Sequence, residues 1–471
     1  MSNYSEQELR LLTDEVTTLF NSNSAWKVVG VQRKEKNGQV TDDLAITLTV
    51  DKKLPVNEID SNDLFPESIT IPGVSEPVKT DVQVGPTEYT AEATCYTLPT
   101  PGSDESTWVM PVSGSRSTHR PLSGGLGCSI MPPNGYDGGL VNSGTIGGFC
   151  IDLDDNTVVG VSNNHVLGGY QIRGDMEVQS VPMSAHTNSS GLTFWSLLSA
   201  NDTTPSLAET RYPVYQRSSF DEYTSTKSSL DPLKVGTVKR AYPFTASNNK
   251  IDVAIFALDT TVSNLFSTTE SWKPYGLARQ HIDGGMDFAT DSEIWTLMGD
   301  NEGAPCFKSG RTYGPLGWPG SYPYGSTVCS LSVYSVTSST TVTYGGNLAS
   351  GIGFIDQIRL RGDNTDASAG GDSGSFWCAL FNEGNAALSA WKIIGLHFAG
   401  SGDTAVANKI TNVAEMFNLS AYKGEDLDIG YKNTDIQVID SRQSAVTAMI
   451  GNKMYWQAGS TKLPSTAVFD S

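Results

Sequence analysis

Three short stretches of this chain hold residue types that together could carry out acyl transfer. The first is Ala369-Gly370-Gly371-Asp372-Ser373-Gly374-Ser375, a serine set between glycines just after an aspartate. Glycine reaches backbone conformations closed to other residues, so such a turn can present a hydroxyl and aim the N–H groups of Gly371 and Ser373 at one point. Two preorganised donors there would hold the oxyanion of a tetrahedral intermediate. Taken alone, the stretch also reads as a Gly-rich β-turn beside a surface serine. A serine nucleophile needs a base, and the base needs a carboxylate to orient it. Val161-Ser162-Asn163-Asn164-His165-Val166-Leu167 places a histidine at the end of an apolar strand, and Lys250-Ile251-Asp252-Val253-Ala254-Ile255-Phe256 opens a short apolar strand with an aspartate. Taken singly, His165 also reads as a satisfied core histidine and Asp252 as a turn residue at a strand start.

The order His165, Asp252, Ser373, with the histidine ending a strand and an Asp-hydrophobic-Ala-hydrophobic run after it, resembles the chymotrypsin-like (trypsin-like) serine peptidases. Cys306-Phe307-Lys308-Ser309-Gly310-Arg311-Thr312-Tyr313-Gly314 resembles a segment that many simple members carry early in their second barrel. More closely, Ser162-Asn163-Asn164-His165-Val166 looks like the histidine motif of the narrow-leaf-type trypsin-like peptidases of plants and bacteria, which also carry a small domain ahead of the protease. The resemblance implies a chymotrypsin-like double β-barrel with His165 as general base, Asp252 as its orienting carboxylate and Ser373 as nucleophile. It also implies an oxyanion hole from Gly371 and Ser373, a protein or peptide substrate, and neither metal nor cofactor.

For the pocket that receives the residue before the scissile bond (P1), the resemblance points to Ala367 and His397. Ala367 stands where trypsins have aspartate, so a basic P1 side chain would find no partner. His397, in Gly395-x-His397-x-x-Gly400, resembles the motif by which picornavirus main proteases and glutamate-specific bacterial serine peptidases recognise P1 Gln or Glu. It reads equally as a histidine packed in a strand core. Digestive trypsins free an N-terminus that pairs with the Asp before the serine. Here no Arg/Lys-Ile-Val-Gly-Gly site precedes the first barrel, so Asp372 must find another partner or stay solvated.

The elements that would position these residues are mainly β. Among 471 residues, 47 are Gly and 22 Pro, and helical patterns are few, which suits short strands joined by many turns. A small α+β domain is expected over 1–85. Ser5-x-x-Glu8 forms a capping box ahead of Leu9, Leu12, Val16 and Leu19 at helical spacing, and strands flank a type I′ turn at Asn37-Gly38. Residues 86–122, rich in Pro, Thr, Ser and Gly, read as a linker or extended arm. The first barrel follows over 123–284, with an insertion near 169–232. The second spans 285–420, beginning with a strand at Glu293–Met298, and 421–471 forms an extension without a motif. The N-terminal domain reads as a packing or regulatory unit, with a propeptide-like inhibitory role as the sharper alternative.

A net charge of −20 argues against a nucleic-acid partner, which needs a basic footprint. No apolar run reaches the length of a membrane span, and the acidic, polar start Met1-Ser2-Asn3-Tyr4-Ser5-Glu6 does not read as a signal peptide. Six cysteines without CxxC spacing argue for buried thiols in a reducing compartment, the cytoplasm or a virus particle, with self-association left open. The expectation is a serine endopeptidase. Its rival is a protease-fold structural or binding protein, virion-associated, that is inactive or cuts only its own chain.

Overall fold

The computed structural model describes residues 4–36, 39–92, 94–97, 120–130, 140–167, 183–187, 193–197, 213–216, 233–242, 247–262, 264–266, 286–298, 305–312, 331–344, 351–361, 368–381, 390–423, 445–450 and 453–458. Asn37-Gly38 and Ala367 fall outside them. The chain opens with helix α1 (Glu6–Ser22), capped as its sequence dictates: Ser5 Oγ accepts from Glu8 N–H while the Glu8 carboxylate accepts from Ser5 N–H. Its buried face is Leu9, Leu12 and Val16. Then come β1 (Val28–Lys36), β2 (Gln39–Val50), β3 (Ser68–Ile69) and β4 (Val78–Val84). The stretch read as a linker or extended arm begins with two short strands, β5 (Tyr89–Ala91) and β6 (Thr94–Thr97).

The next group is β7 (Gly127–Ile130), β8 (Leu140–Thr145), β9 (Gly148–Asp152) and β10 (Thr157–Ser162), followed by the single helical turn α2 (Asn164–Leu167). Strands β11 (Met183–Thr187), β12 (Thr193–Leu197), β13 (Pro213–Gln216), β14 (Lys234–Ala241) and β15 (Ala254–Leu258) lead to β16 (Asp287–Phe288). The strand expected at Glu293–Met298 is instead helix α3 (Asp291–Thr296). Thr290 and Glu293 make a second capping box there, and that local device wins over a short apolar run with no decisive period. Strands β17 (Pro305–Lys308), β18 (Leu331–Thr343), β19 (Ile352–Arg361), β20 (Phe376–Phe381), β21 (Ala390–Ser401) and β22 (Thr404–Lys409) follow. Helix α4 (Ile410–Phe417) ends at Asn418, whose φ of 51° places it in the left-handed region. After it come β23 (Leu419–Ala421) and the hairpin β24 (Ala445–Ile450) and β25 (Lys453–Ala458).

The fold is mainly β and built on two curled sheets. Among the described residues one runs β17-β20-β21-β22-β19-β18-β1-β2-β4-β3, with β16 on β21 and with β5 beside both β18 and β21. The other runs β23-β9-β10-β15-β14-β13-β7-β8-β6. Strand β18 runs unbroken through a Ser/Thr-rich middle that pairs with β1, Val28 against Thr340 and Gly30 against Ser338. The N-terminal hairpin therefore joins the same hydrogen-bonded sheet as the later strands. A core of Leu12, Val16, Val31 and Ile46 continues through Val336, Ile358 and Leu396 to Val161 and Ile255 of the second sheet. A second cluster fills that sheet's interior with Leu126, Ile130, Val214, Val238 and Phe256. No helix among the described residues is long and apolar enough to cross a membrane.

Candidate active site

The site lies where the two sheets meet. Strand β10 reaches it by pairing with β15, Ser162 against Ala254, so the chain segments just beyond those two ends lie side by side. His165 stands on α2, one turn beyond β10, and Asp252 lies two residues ahead of β15. Asn163 ties the two segments together, its Nδ2 donating to the Asp252 carbonyl at 2.7 Å. His165 Nδ1 makes a very short contact with Asp252 Oδ2, and the His165 backbone N–H donates to Oδ1 at 3.2 Å. Tyr344 Oη donates to the same Oδ2 at 2.9 Å. Asn408 fixes the carboxylate's own backbone, since its Oδ1 accepts from Asp252 N–H at 2.7 Å. His165 and Asp252 are both buried. An ionised carboxylate only accepts, so this contact places the imidazole proton on Nδ1 and an acceptor lone pair on Nε2.

The serine turn belongs to the other sheet but is held from both. Its own bonds are Asp372 N–H to the Ala369 carbonyl and Ser375 N–H to the Asp372 carbonyl, each at 3.0 Å. Gly371 has φ +102° and Gly374 φ +96°, the left-handed region where only glycine sits without strain. From the second sheet, Thr145 N–H donates to the Ser373 carbonyl at 2.8 Å. From the first, Gly374 N–H donates to the His397 carbonyl at 2.9 Å. Gly144 is the hinge of this approach, because a Cβ there would lie 2.6 Å from both Cγ atoms of Val166 and 2.9 Å from the Ser373 carbonyl oxygen. The neighbour of His165 and the backbone of Ser373 thus press on one glycine. The Ser373 hydroxyl donates to the Phe398 carbonyl at 3.2 Å.

Asp372 does find a partner. Lys308 Nζ sits 2.5 Å from its Oδ2, with both side chains fully buried. Thr312 N–H donates to Oδ1 at 2.8 Å, and the Lys308 ammonium also lies 5.5 Å from the Trp377 ring centre. Asp372 thus meets an interior cation, Lys308. Its segment was legible in the sequence, but nothing local marked which acid it would meet.

His397 is buried on β21. Its Nδ1 accepts from Trp377 Nε1 at 3.3 Å, and indole N–H is a donor only, so Nε2 carries the proton. That Nε2–H points to Glu92 Oε2 at 2.6 Å. A Cβ on Gly400 would lie 2.2 Å from Glu92 Oε1 and 2.6 Å from Ser368 Oγ, so the glycine leaves the room that the carboxylate fills. Sequence reading missed Glu92, which lies in a Pro/Thr-rich arm without a motif. The Gly371 N–H, expected in the oxyanion hole, donates to the Glu92 carbonyl in a very short contact.

Four buried cysteines, Cys128, Cys150, Cys306 and Cys378, offer no rival nucleophile, since reactivity follows the thiolate. Burial pushes the Cys128 and Cys378 thiols up to about 12, and those of Cys150 and Cys306 also move up.

No family model matches this chain, and no curated protein does. Among solved structures it is similar to a chymotrypsin from Cellulomonas bogoriensis at 14% identity, covering 64% of this chain and 98% of that one, with a TM-score of 0.29. It is similar also to a glutamic acid specific serine protease that uses a histidine triad in substrate binding (14% identity, 64% and 100% covered, TM-score 0.28). A third is Rv3671c from M. tuberculosis H37Rv in an inactive form (13% identity, 68% and 95% covered, TM-score 0.25).

Proposed function

We propose that this chain is a serine endopeptidase of chymotrypsin-like double-barrel build, hydrolysing peptide bonds through an acyl-enzyme. Ser373 Oγ attacks the peptide carbonyl as His165 Nε2 takes its proton, and Asp252 holds the imidazole tautomer and favours the imidazolium that forms. The attack follows rotation of the Ser373 side chain from the Phe398 carbonyl toward His165. The N–H groups of Gly371 and Ser373 receive the oxyanion, a contact worth roughly 10²–10³ in rate per donor. The observation that carries this reading is the buried His165–Asp252 pair, fixed by Tyr344 and Asn408, at the seam where the serine turn is gripped from both sheets.

The P1 preference that fits is Glu or Gln. A neutral imidazole with its proton on Nε2 can donate to a carboxylate, the stronger acceptor, or to an amide oxygen, and Gly400 leaves room for either. The Ser162–Val166 motif, together with the unit ahead of the barrels, supports the narrow-leaf-type likeness. A second reading, a protease-fold binding or structural protein, is favoured by the Ser373 hydroxyl being bonded to the Phe398 carbonyl.

A fluorophosphonate probe separates the two. Because the Glu92 carbonyl lies on the Gly371 N–H and its carboxylate on His397 holds it there, the Glu92→Ala chain, which loses that side-chain anchor, is tested beside the wild type. Labelling that Ser373→Ala abolishes supports the peptidase. Absence of label in both the wild type and Glu92→Ala assigns the protein to the second reading. A peptide library without enrichment of Glu or Gln at P1 would remove His397 from the specificity pocket.

A further inference from the structure

Resting on the peptidase reading, the geometry points to the chain's own segment Tyr89-Thr90-Ala91-Glu92 lying in its substrate cleft, with Glu92 at P1 and the peptide bond on the carbonyl side of Glu92 as a self-cleavage site. Three independent contacts converge on this one residue. Its carbonyl oxygen accepts from the Gly371 N–H in the serine turn. Its backbone N–H donates to the Phe398 carbonyl at 3.1 Å, the same oxygen that receives the Ser373 hydroxyl at 3.2 Å, so nucleophile and candidate scissile residue are anchored on one atom. Its carboxylate meets His397 Nε2 at 2.6 Å in the pocket left by Gly400. Ser368 Oγ, buried and without a hydrogen-bond partner among the described residues, lies against the same glycine.

The residues before Glu92 are held as an extended peptide. Strand β5 pairs antiparallel with β21, Ala91 against Ala399 and Thr90 against Gly400, and parallel with β18, Tyr89 against Val342. Main-chain pairing of this kind supplies affinity without regard to sequence, while side-chain pockets select. Tyr89 fills one such pocket, fully buried among Val28, Tyr344, Phe354 and Phe398. The chain direction fits as well. Strand β5 belongs to the sheet that holds the serine turn and β6 to the sheet that holds His165 and Asp252, so the chain passes from one sheet to the other just after Glu92.

In the reaction, Ser373 Oγ bonds to the Glu92 carbonyl carbon as its proton passes to His165. The bond to the nitrogen of Ala93 then breaks, and the imidazolium returns the proton to the departing amine. Water hydrolyses the ester, leaving a Glu92 carboxylate and restoring the Ser373 hydroxyl.

Intact-mass spectrometry of the purified full chain tests this. The wild type is expected to yield a fragment ending at Glu92 and another beginning at Ala93, at a fractional rate that stays constant over about 100-fold dilution, as an intramolecular event must. Ser373→Ala is expected to remain whole. Glu92→Ala is expected to be cut at this bond slower by about 10²-fold or more. Glu92→Gln, which keeps an acceptor for His397, is expected to fall between and guards against a folding defect in the alanine variant. If the probe labels Ser373 while the chain stays whole after Glu92, or if Ser373→Ala is cut as fast as the wild type, the self-cleavage inference falls and the peptidase reading stands or falls on the label alone. No label in either the wild type or Glu92→Ala overturns both.

Discussion

Asp252 accepts hydrogen bonds from His165 N, His165 Nδ1 and Tyr344 Oη, which only a carboxylate can do in that arrangement. In Asp252→Asn the amide would present N–H groups to one of these donors, and the imidazole would move its proton to Nε2, where it can no longer accept from the serine. The expected outcome is a drop in kcat of about 10⁴ with little change in KM, measured on a peptide with Glu at P1. Tyr344→Phe removes one donor and leaves the tautomer alone, so its loss should be far smaller. At this scale the sequence was most informative. Ser373, His165 and Asp252 are marked by residue type and by the glycines and apolar runs around them. Glu92 carries no such mark, because its role arises from β5 pairing with β21 and not from its neighbours in the chain.

Strand β17 carries Lys308 to the serine turn by pairing with β20, Lys308 against Trp377. Breaking a buried ion pair from one side leaves an uncompensated charge, so Lys308→Met is expected to cost about 3–5 kcal/mol of stability. Adding Asp372→Asn should return much of it, and chemical denaturation of the two single variants and the double variant measures the coupling. Elements with their own punctuation were legible, as α1 was from its capping box. Helix α3 was misread although Thr290 and Glu293 offered the same capping signature as α1. Its six residues are too short for a helical period to show against an apolar run.

Across the whole molecule, β1 lies on β18, and α1 covers the sheet with Leu9, Leu12 and Val16. A strand pairing between segments so far apart in the chain leaves no local signature, which is why the hairpin could be read but its docking place could not. The same join predicts that a cut after Glu92 does not release the N-terminal part. The two pieces are expected to elute together in size-exclusion chromatography and to separate only in denaturant, whereas residues 93–471 made alone would bare the edge of β18 and aggregate. The Lys308–Asp372 pair has a further consequence for how such a molecule would be switched on. An amine freed elsewhere finds that berth already taken by an interior lysine, so the turn is set as soon as the chain folds. Maturation would then be an unplugging and not an assembly, governed by how quickly a tethered, already severed strand leaves.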